Sequence, residues 1–227
     1  MHGEPDWEKI WLTEKQHPKI DDIKAEGLIL DIGGGGEGII GQLLPDQVVS
    51  IDINKRELEE APSDNLKIIM DATDMKFIDN SFNTATAFFT FMYFNKEIRE
   101  KALTEIYRVL KPGGRLLVWD TIVPSEPKDE KHEMYCVQVS VTLPNKEINT
   151  GYGTPFKRDQ TADTYKKLAK KIIFMALKTN KLKLRTYYHL IFYLHNFYSP
   201  VDILSKVQEL ARQLKELYER FKFRFSQ

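Results

Sequence analysis

Residues 31–38 read Asp-Ile-Gly-Gly-Gly-Gly-Glu-Gly. Four consecutive glycines let a ligand approach the main chain closely, and the acids beside them, Asp31 and Glu37, set the charge it should carry. Asp52 and Asp71 lie further on, each at the end of a short apolar run. The pattern G-x-G-x-x-G, met by Gly33, Gly35 and Gly38, suits two ligand chemistries. A dinucleotide places its pyrophosphate at a helix N-terminus, where free N–H groups and the dipole favour an anion. S-adenosylmethionine presents an ammonium and a sulfonium instead. At an effective dielectric of about 20, a like-charge contact at ~4 Å costs roughly 4 kcal/mol, and an opposite-charge contact gains as much before desolvation. Two carboxylates facing the loop therefore favour the sulfonium ligand. Asp52 suits either, because both ligands offer a ribose diol to an acid at the end of a second strand.

A particular frame is needed to bring these groups together. Residues 28–32 form an apolar run stopped by the glycines, which reads as a buried strand and the turn leaving it. Residues 37–44 read as a helix closed by Pro45, 48–52 as a second strand, 55–61 as a short polar helix and 66–70 as a third strand. A fourth strand, 84–91, follows the turn-rich Asp79-Asn80-Ser81. Ile98, Ala102, Leu103, Ile106, Val109 and Leu110 recur at helical spacing over 96–110, Lys111-Pro112-Gly113-Gly114 ends that helix, and 115–122 is a fifth strand. Strands alternating with helices predict an α/β domain, a Rossmann-like, doubly wound and mostly parallel sheet. Ligands of such sheets sit outside the carboxyl ends of the strands, where Asp31, Asp52 and Asp71 all fall.

The remainder is less regular. Residues 124–133 form a charged linker, and 135–143 with 147–152 form a hairpin around Pro144-Asn145-Lys146, an insertion spanning 134–156. A helix over 161–173 starts from a cap at Thr161, and strands at 174–179 and 182–194 complete a seven-stranded sheet. Ser199 can cap a helix over 200–221, with Pro200 in its first turn. Ile203, Val207, Leu210, Leu214, Leu217 and Phe221 form a heptad seam on it, which could pack on its own domain or form a homodimer. The organisation expected is one domain over 1–198, with an N-terminal lid over 1–24, followed by an amphipathic helix over 199–227.

Five segments carry a resemblance. Ile29-Leu30-Asp31-Ile32-Gly33-Gly34-Gly35, Ser50-Ile51-Asp52-Ile53, Met70-Asp71-Ala72-Thr73-Asp74-Met75, Asp79-Asn80-Ser81-Phe82-Asn83 and Tyr107-Arg108-Val109-Leu110-Lys111-Pro112-Gly113-Gly114-Arg115 occur in that order. They resemble the successive motifs of class I S-adenosylmethionine-dependent methyltransferases, most closely the type 11 small-molecule group, over roughly residues 25–122. The resemblance implies that Asp31 and the backbone of Gly33 and Gly35 hold the methionine end of the cofactor. It implies Asp52 on the ribose hydroxyls, Ile53 against the adenine, Asp71 and Ala72 at the adenine ring, and Ala87 and Phe88 near the sulfonium. Two positions depart from the pattern: Glu37 stands where the third glycine of the loop usually falls, and Asn83 replaces the usual aspartate after Ser81-Phe82.

Methyl transfer from a sulfonium is an in-line displacement for which the protein positions the acceptor, excludes water and sometimes removes a proton. Tyr93, just past the fourth strand, is the candidate base or orienting group. Trp7 and Trp11, four apart, could share a helix face and form a lid over the cofactor. Tyr152, with Tyr135, belongs to the hairpin as a second substrate cap. The five histidines are scattered and no metal-ligand spacing occurs, so no metal is expected. An Asp/Asn-Pro-Pro-aromatic run is missing, as is a Pro-Cys nucleophile, which removes support for base methylation and leaves a small-molecule substrate.

Composition sets the outer bounds. The 227 residues carry 33 Lys+Arg and 33 Asp+Glu, a net charge of +0, which argues against a generic nucleic-acid or anionic-membrane partner. That zero is a cancellation: residues 1–157 hold 18 basic against 27 acidic side chains, and residues 158–227 hold 15 against 6. One cysteine, Cys136, and an acidic N-terminus fit a cytoplasmic protein. Two further readings stay open, an NAD-dependent oxidoreductase and a methyltransferase-like protein that binds without catalysis.

Overall fold

The computed structural model describes residues 6–20, 23, 27–156, 160, 161, 163, 164, 167 and 168, and the backbone of 190–195. The expected strand at 174–179, the helix at 200–221 with its seam, the boundary at 198/199 and most of the helix at 161–173 lie outside the described residues. At the start of that last segment, Thr161 Oγ1 accepts from Thr164 N at 3.2 Å, a capping bond.

Twelve elements are described in chain order: β1 (Ile10–Leu12), β2 (Ile29–Ile32), α1 (Ile39–Leu43), β3 (Val48–Asp52), α2 (Lys55–Glu60), β4 (Leu66–Ile69), β5 (Phe82–Phe88), α3 (Lys96–Val109), β6 (Leu110–Thr121), β7 (Met134–Leu143), β8 (Lys146–Pro155) and β9 (Leu190–His195). Six strands form one sheet in the order β4-β3-β2-β5-β6-β9, and every pairing in it is parallel. This is the α/β architecture expected, with six strands among the described residues rather than seven. All four residues of β2 are buried, as a central strand covered on both faces requires.

Helix α3 shows why its sequence folds as it does. Asn95 caps it by accepting from Ile98 N at 2.9 Å, and Ala102, Leu103, Ile106 and Val109 bury one stripe against the sheet. Its C-terminus runs straight into β6, which starts at Leu110 rather than at Arg115. Phe82 pairs with Leu110 and Thr84 with Arg115, so Lys111-Pro112-Gly113-Gly114 is a bulge within the ladder. Gly113, at φ 85°, makes the bend possible. At its far end β5 stops at Phe88, three residues short of the expected end, because Phe89 adopts φ 50°. A 3₁₀ turn over Phe91–Tyr93 follows.

The second sheet, β1-β7-β8, stands beside the carboxyl ends of the first. Strands β7 and β8 pair antiparallel from Met134↔Pro155 to Leu143↔Lys146. The N-terminal segment differs from expectation. Trp7 lies in a 3₁₀ turn (Trp7–Lys9), while Trp11 is in β1, paired parallel with β7 in the register Trp11↔Tyr135. The two tryptophans share no helix face. Ile10-Trp11-Leu12 suits a pleated strand, and β7 offers it an edge of unpaired backbone groups.

Candidate functional site

From β2 the chain steps outward to β3 and β4, then returns to β5 on the other side of β2. The carboxyl ends of β2 and β5 therefore flank the reversal in strand order, where such sheets open a crevice. Gly33 leaves β2 with φ 68°, and a Cβ there would lie 2.5 Å from Thr90 Cγ2. Only glycine lets the two strand ends come this close. Thr90 Oγ1 donates to Ile32 O at 2.9 Å across the same gap. The loop then folds toward β3 and α2: Gly33 N and Gly34 N donate to Ile51 O at 2.8 and 3.1 Å, and Gly36 N to Glu57 O at 3.0 Å.

A cavity of about 640 Å³ opens over these strand ends. Four carboxylates line it, Glu37, Asp52, Glu57 and Asp71, and among the described residues no lysine, arginine or histidine does. Aromatic side chains line it too: Phe88, Phe89, Tyr93, Phe94 and, from β8, Tyr152. Of the residues expected to meet a cofactor, Gly33, Gly35, Asp52, Ile53, Asp71, Ala72 and Phe88 line the cavity. Asp31 and Ala87 do not. Ala87 is fully buried in β5, between Ile32 and Val118.

The two acids of the glycine loop thus divide. Asp31 lies beneath the loop, where a Cβ on Gly34 would meet its Oδ2 at 2.5 Å, and Glu37 faces the cavity. Ser50 and Thr86 are Asp31's register partners on either side. Thr86 Oγ1 donates to Asp31 Oδ1 at 2.6 Å, Ser50 Oγ to Oδ2 at 3.5 Å, and Asn65 Nδ2 to Ser50 Oγ at 2.9 Å. Burial, with 2% of the residue exposed, pushes the Asp31 carboxyl up to about 7 despite those two hydroxyl bonds. Asp31 thus supports the glycine loop from beneath and does not line the cavity.

The other acids are set by local turns. Asp52 Oδ1 accepts from Asn54 N at 2.8 Å, and Asn54 Oδ1 caps α2 by accepting from Arg56 N at 3.1 Å. That first helical turn brings Glu57 against Gly35, where a Cβ would meet Glu57 Cβ at 2.6 Å. Asp71 Oδ1 accepts from Thr73 N at 2.7 Å and Thr73 Oγ1 at 2.8 Å. Asp74 pairs with Lys76 at 2.6 Å and stays off the cavity wall. The segment carrying Asp71 and Ala72 is fastened downstream by Arg108, which donates to Phe77 O at 2.7 Å, Met75 O at 2.8 Å and Asp79 Oδ1 at 2.8 Å. Glu105 shares the guanidinium at 2.8 Å.

Tyr93 lines the cavity and is 46% exposed. Burial against the surrounding protein, with Cys136, Asp120, Glu37 and Glu57 nearby, still pushes its phenol well above the usual range. A phenol so held is a hydrogen-bond donor. Burial likewise raises the phenol of Tyr152, which bonds to Glu37. Its ring stacks on Phe89 with centroids 4.7 Å apart and planes at 6°. Trp7, 63% exposed, and Trp11 are both off the cavity wall. Trp11 sits edge-on to Tyr135 at 5.8 Å, with Lys128 Nζ 4.7 Å over its ring.

Sequence reasoning missed Glu57, Phe89, Thr90 and Phe94 as lining residues, and Ser50, Asn65, Thr86 and Arg108 as supports. For Glu57 a signal existed: the third position of a capped helix after Asp52 turns back toward the loop. Among the described residues no group of three or more His, Cys, Asp or Glu could hold a metal ion, and no helix is long and apolar enough to cross a membrane.

Comparison with known proteins agrees with this geometry. Residues 30–118 match the family model described as a methyltransferase domain, the same stretch that carries the motifs resembling class I S-adenosylmethionine-dependent methyltransferases. Sterol 4-C-methyltransferase strm-1 of Caenorhabditis elegans is 31% identical over 129 residues, 56% of this chain and 38% of that protein. The ubiquinone/menaquinone biosynthesis C-methyltransferase UbiE of Pseudomonas fluorescens is 33% identical over 121 residues, 47% of this chain and 46% of that protein. The chain thus spans less than half the length of either relative. A solved structure from Methanosarcina mazei, described as a SAM-dependent methyltransferase, aligns at 24% identity with a TM-score of 0.36, covering 50% of this chain and 52% of its own.

Proposed function

We propose that the protein binds S-adenosylmethionine in the cavity and transfers its methyl group to a small-molecule acceptor by in-line displacement. The observation that carries this reading is the lining: four carboxylates and, among the described residues, no basic side chain, over glycines so closely packed that a Cβ on Gly33 or Gly35 would collide with Thr90 or Glu57. Such a wall attracts an ammonium and a sulfonium, and it repels the pyrophosphate of a nicotinamide dinucleotide. The cofactor supplies the activated methyl carbon. The chain's own residues bind, orient and exclude water. Gly33 and Gly35 admit the methionine end, Asp52 would hold the ribose hydroxyls beside Ile53, and Asp71 with the Ala72 backbone would face the adenine. Phe88 lies toward the reacting carbon, and Ala87 supports it from within β5.

An acceptor with an apolar body fits the aromatic side of the cavity, formed by Phe88, Phe89, Tyr93 and Tyr152. Relatives named for sterol and for quinone biosynthesis support the same class. Tyr93, whose phenol burial pushes well above the usual range, donates a hydrogen bond to orient that acceptor. Trp11 contributes by fastening the N-terminal segment to the hairpin that carries Tyr152. The proposal extends to a seven-stranded sheet completed outside the described residues, a domain over 1–198 with 134–156 inserted as a cap, a C-terminal helix and a cytoplasmic setting.

Calorimetric titration with S-adenosylmethionine, S-adenosylhomocysteine and NAD tests the claim. Both sulfur ligands should bind and NAD should not; silence from both sulfur ligands overturns it. Turnover with an acceptor panel then separates a transferase from a protein that only binds.

A further inference from the structure

Glu37 occupies the loop position where the resembled family usually has glycine, between Gly36 at φ 61° and Gly38 at φ 54°. Glu37 lines the cavity, and its carboxylate reaches the second sheet. Thr150 Oγ1 of β8 donates to Glu37 Oε1, and the phenol of Tyr152 bonds to the same carboxylate. Thr150 lies 113 residues away in sequence, so this is a long-range tie between the glycine loop and the hairpin. Gly151 and Tyr152 line the cavity as well, and Tyr152 rests on Phe89 and meets Phe88 edge-on at 6.1 Å. A carboxylate has about four acceptor sites. Two hydroxyl donors leave room for a cation on the cavity side, and they hold the group in place before a ligand arrives.

We propose that Glu37 is a specificity-determining residue that takes the ammonium of the ligand's amino-acid end while pinning β8 over the cavity through Thr150 and Tyr152. The inference rests on the S-adenosylmethionine reading above. Cation binding and seating of the hairpin are then one event, because the same carboxylate serves both. Loss of the charge should weaken ligands that carry the ammonium and spare those that do not.

Two probes separate these cases. S-adenosylhomocysteine carries the ammonium; 5′-methylthioadenosine keeps the nucleoside and sulfur but lacks the amino-acid end. In calorimetry, Glu37→Gln should weaken the first at least tenfold and the second less than twofold. Thr150→Val, which removes one hydroxyl tie and leaves the charge, should weaken the first about threefold and spare the second. Hydrogen exchange gives a readout independent of turnover: S-adenosylhomocysteine should slow exchange at residues 150–152 in the wild type and not in Glu37→Gln. Equal weakening of both ligands, or of neither, overturns the inference while the cofactor reading stands. If Glu37→Gln does not fold, the Thr150→Val pattern decides by the same criterion. Failure of the wild type to bind either ligand overturns both proposals.

Discussion

A carboxyl titrating near 7 beneath a binding loop makes stability and ligand affinity respond to pH in opposite directions. The folded state keeps a proton on Asp31 from the unfolded value of 3.8 up to about 7. Folding takes up that proton within this window, so stability falls as pH rises across it, by about 4 kcal/mol in all. Urea unfolding at pH 5 and pH 8 should differ by roughly 2–3 kcal/mol more in the wild type than in Asp31→Asn. Affinity for a cationic ligand should instead rise with pH through 7, and that slope should flatten in the same variant. Tyr93 supplies a second residue-level test. Because its phenol stays protonated at working pH, Tyr93→Phe should lower turnover by no more than about tenfold and leave the pH profile unchanged. An ionisation that vanishes in the variant would return Tyr93 to the role of base. The sequence revealed Asp31 as an acid at a strand end. It could not reveal that the register places Ser50 and Thr86 beside it, because cross-strand partners are set by long-range pairing.

Among the elements, α3 does two jobs. One face buries its apolar stripe, and Arg108 ties down residues 75–79, which carry the chain away from Asp71 and Ala72. Arg108→Leu should cost about 2–3 kcal/mol, since a guanidinium that is 29% exposed gives up part of its bond energy to solvent, and should lower the melting temperature accordingly. Gly33→Ala places a methyl group against Thr90 at a left-handed backbone position. It should abolish measurable binding of S-adenosylhomocysteine while α3 keeps its helical circular dichroism. The alternation of elements and the α3 stripe were legible because periodicity is local. The bulge at Lys111–Gly114 and the early end of β5 at Phe89 were not, because one depends on pairing with Phe82–Thr84 and the other on a backbone angle no residue type announces. Trp7 and Trp11 misled for the same reason: spacing suggested a helix, and the free edge of β7 drew Ile10–Leu12 into a strand.

At the scale of the molecule, the charge division acquires a location. Among the described residues, the cavity's carboxylates, Glu37, Asp52, Glu57 and Asp71, all fall in the acidic 1–157 segment. The basic segment 158–227 lies mostly outside the described residues, and with it the heptad seam that could pack on its own domain or join two copies. Light scattering separates the two: twice the chain mass selects the homodimer, and a monomer at working concentration removes it. The sheet order carries one more consequence. Residues 1–156 contain the family match and every described residue lining the cavity, so they look like a sufficient minimal fragment. Yet Leu116–Thr121 of β6 is covered by pairing with Leu190–His195. A fragment ending at 156 would expose that run of backbone donors and acceptors, in the apolar stretch Leu116-Leu117-Val118-Trp119, to any other chain in solution. Strand β9 would then matter less for chemistry than for keeping neighbouring molecules apart, and the fragment should sediment as aggregate where the 227-residue chain stays dispersed.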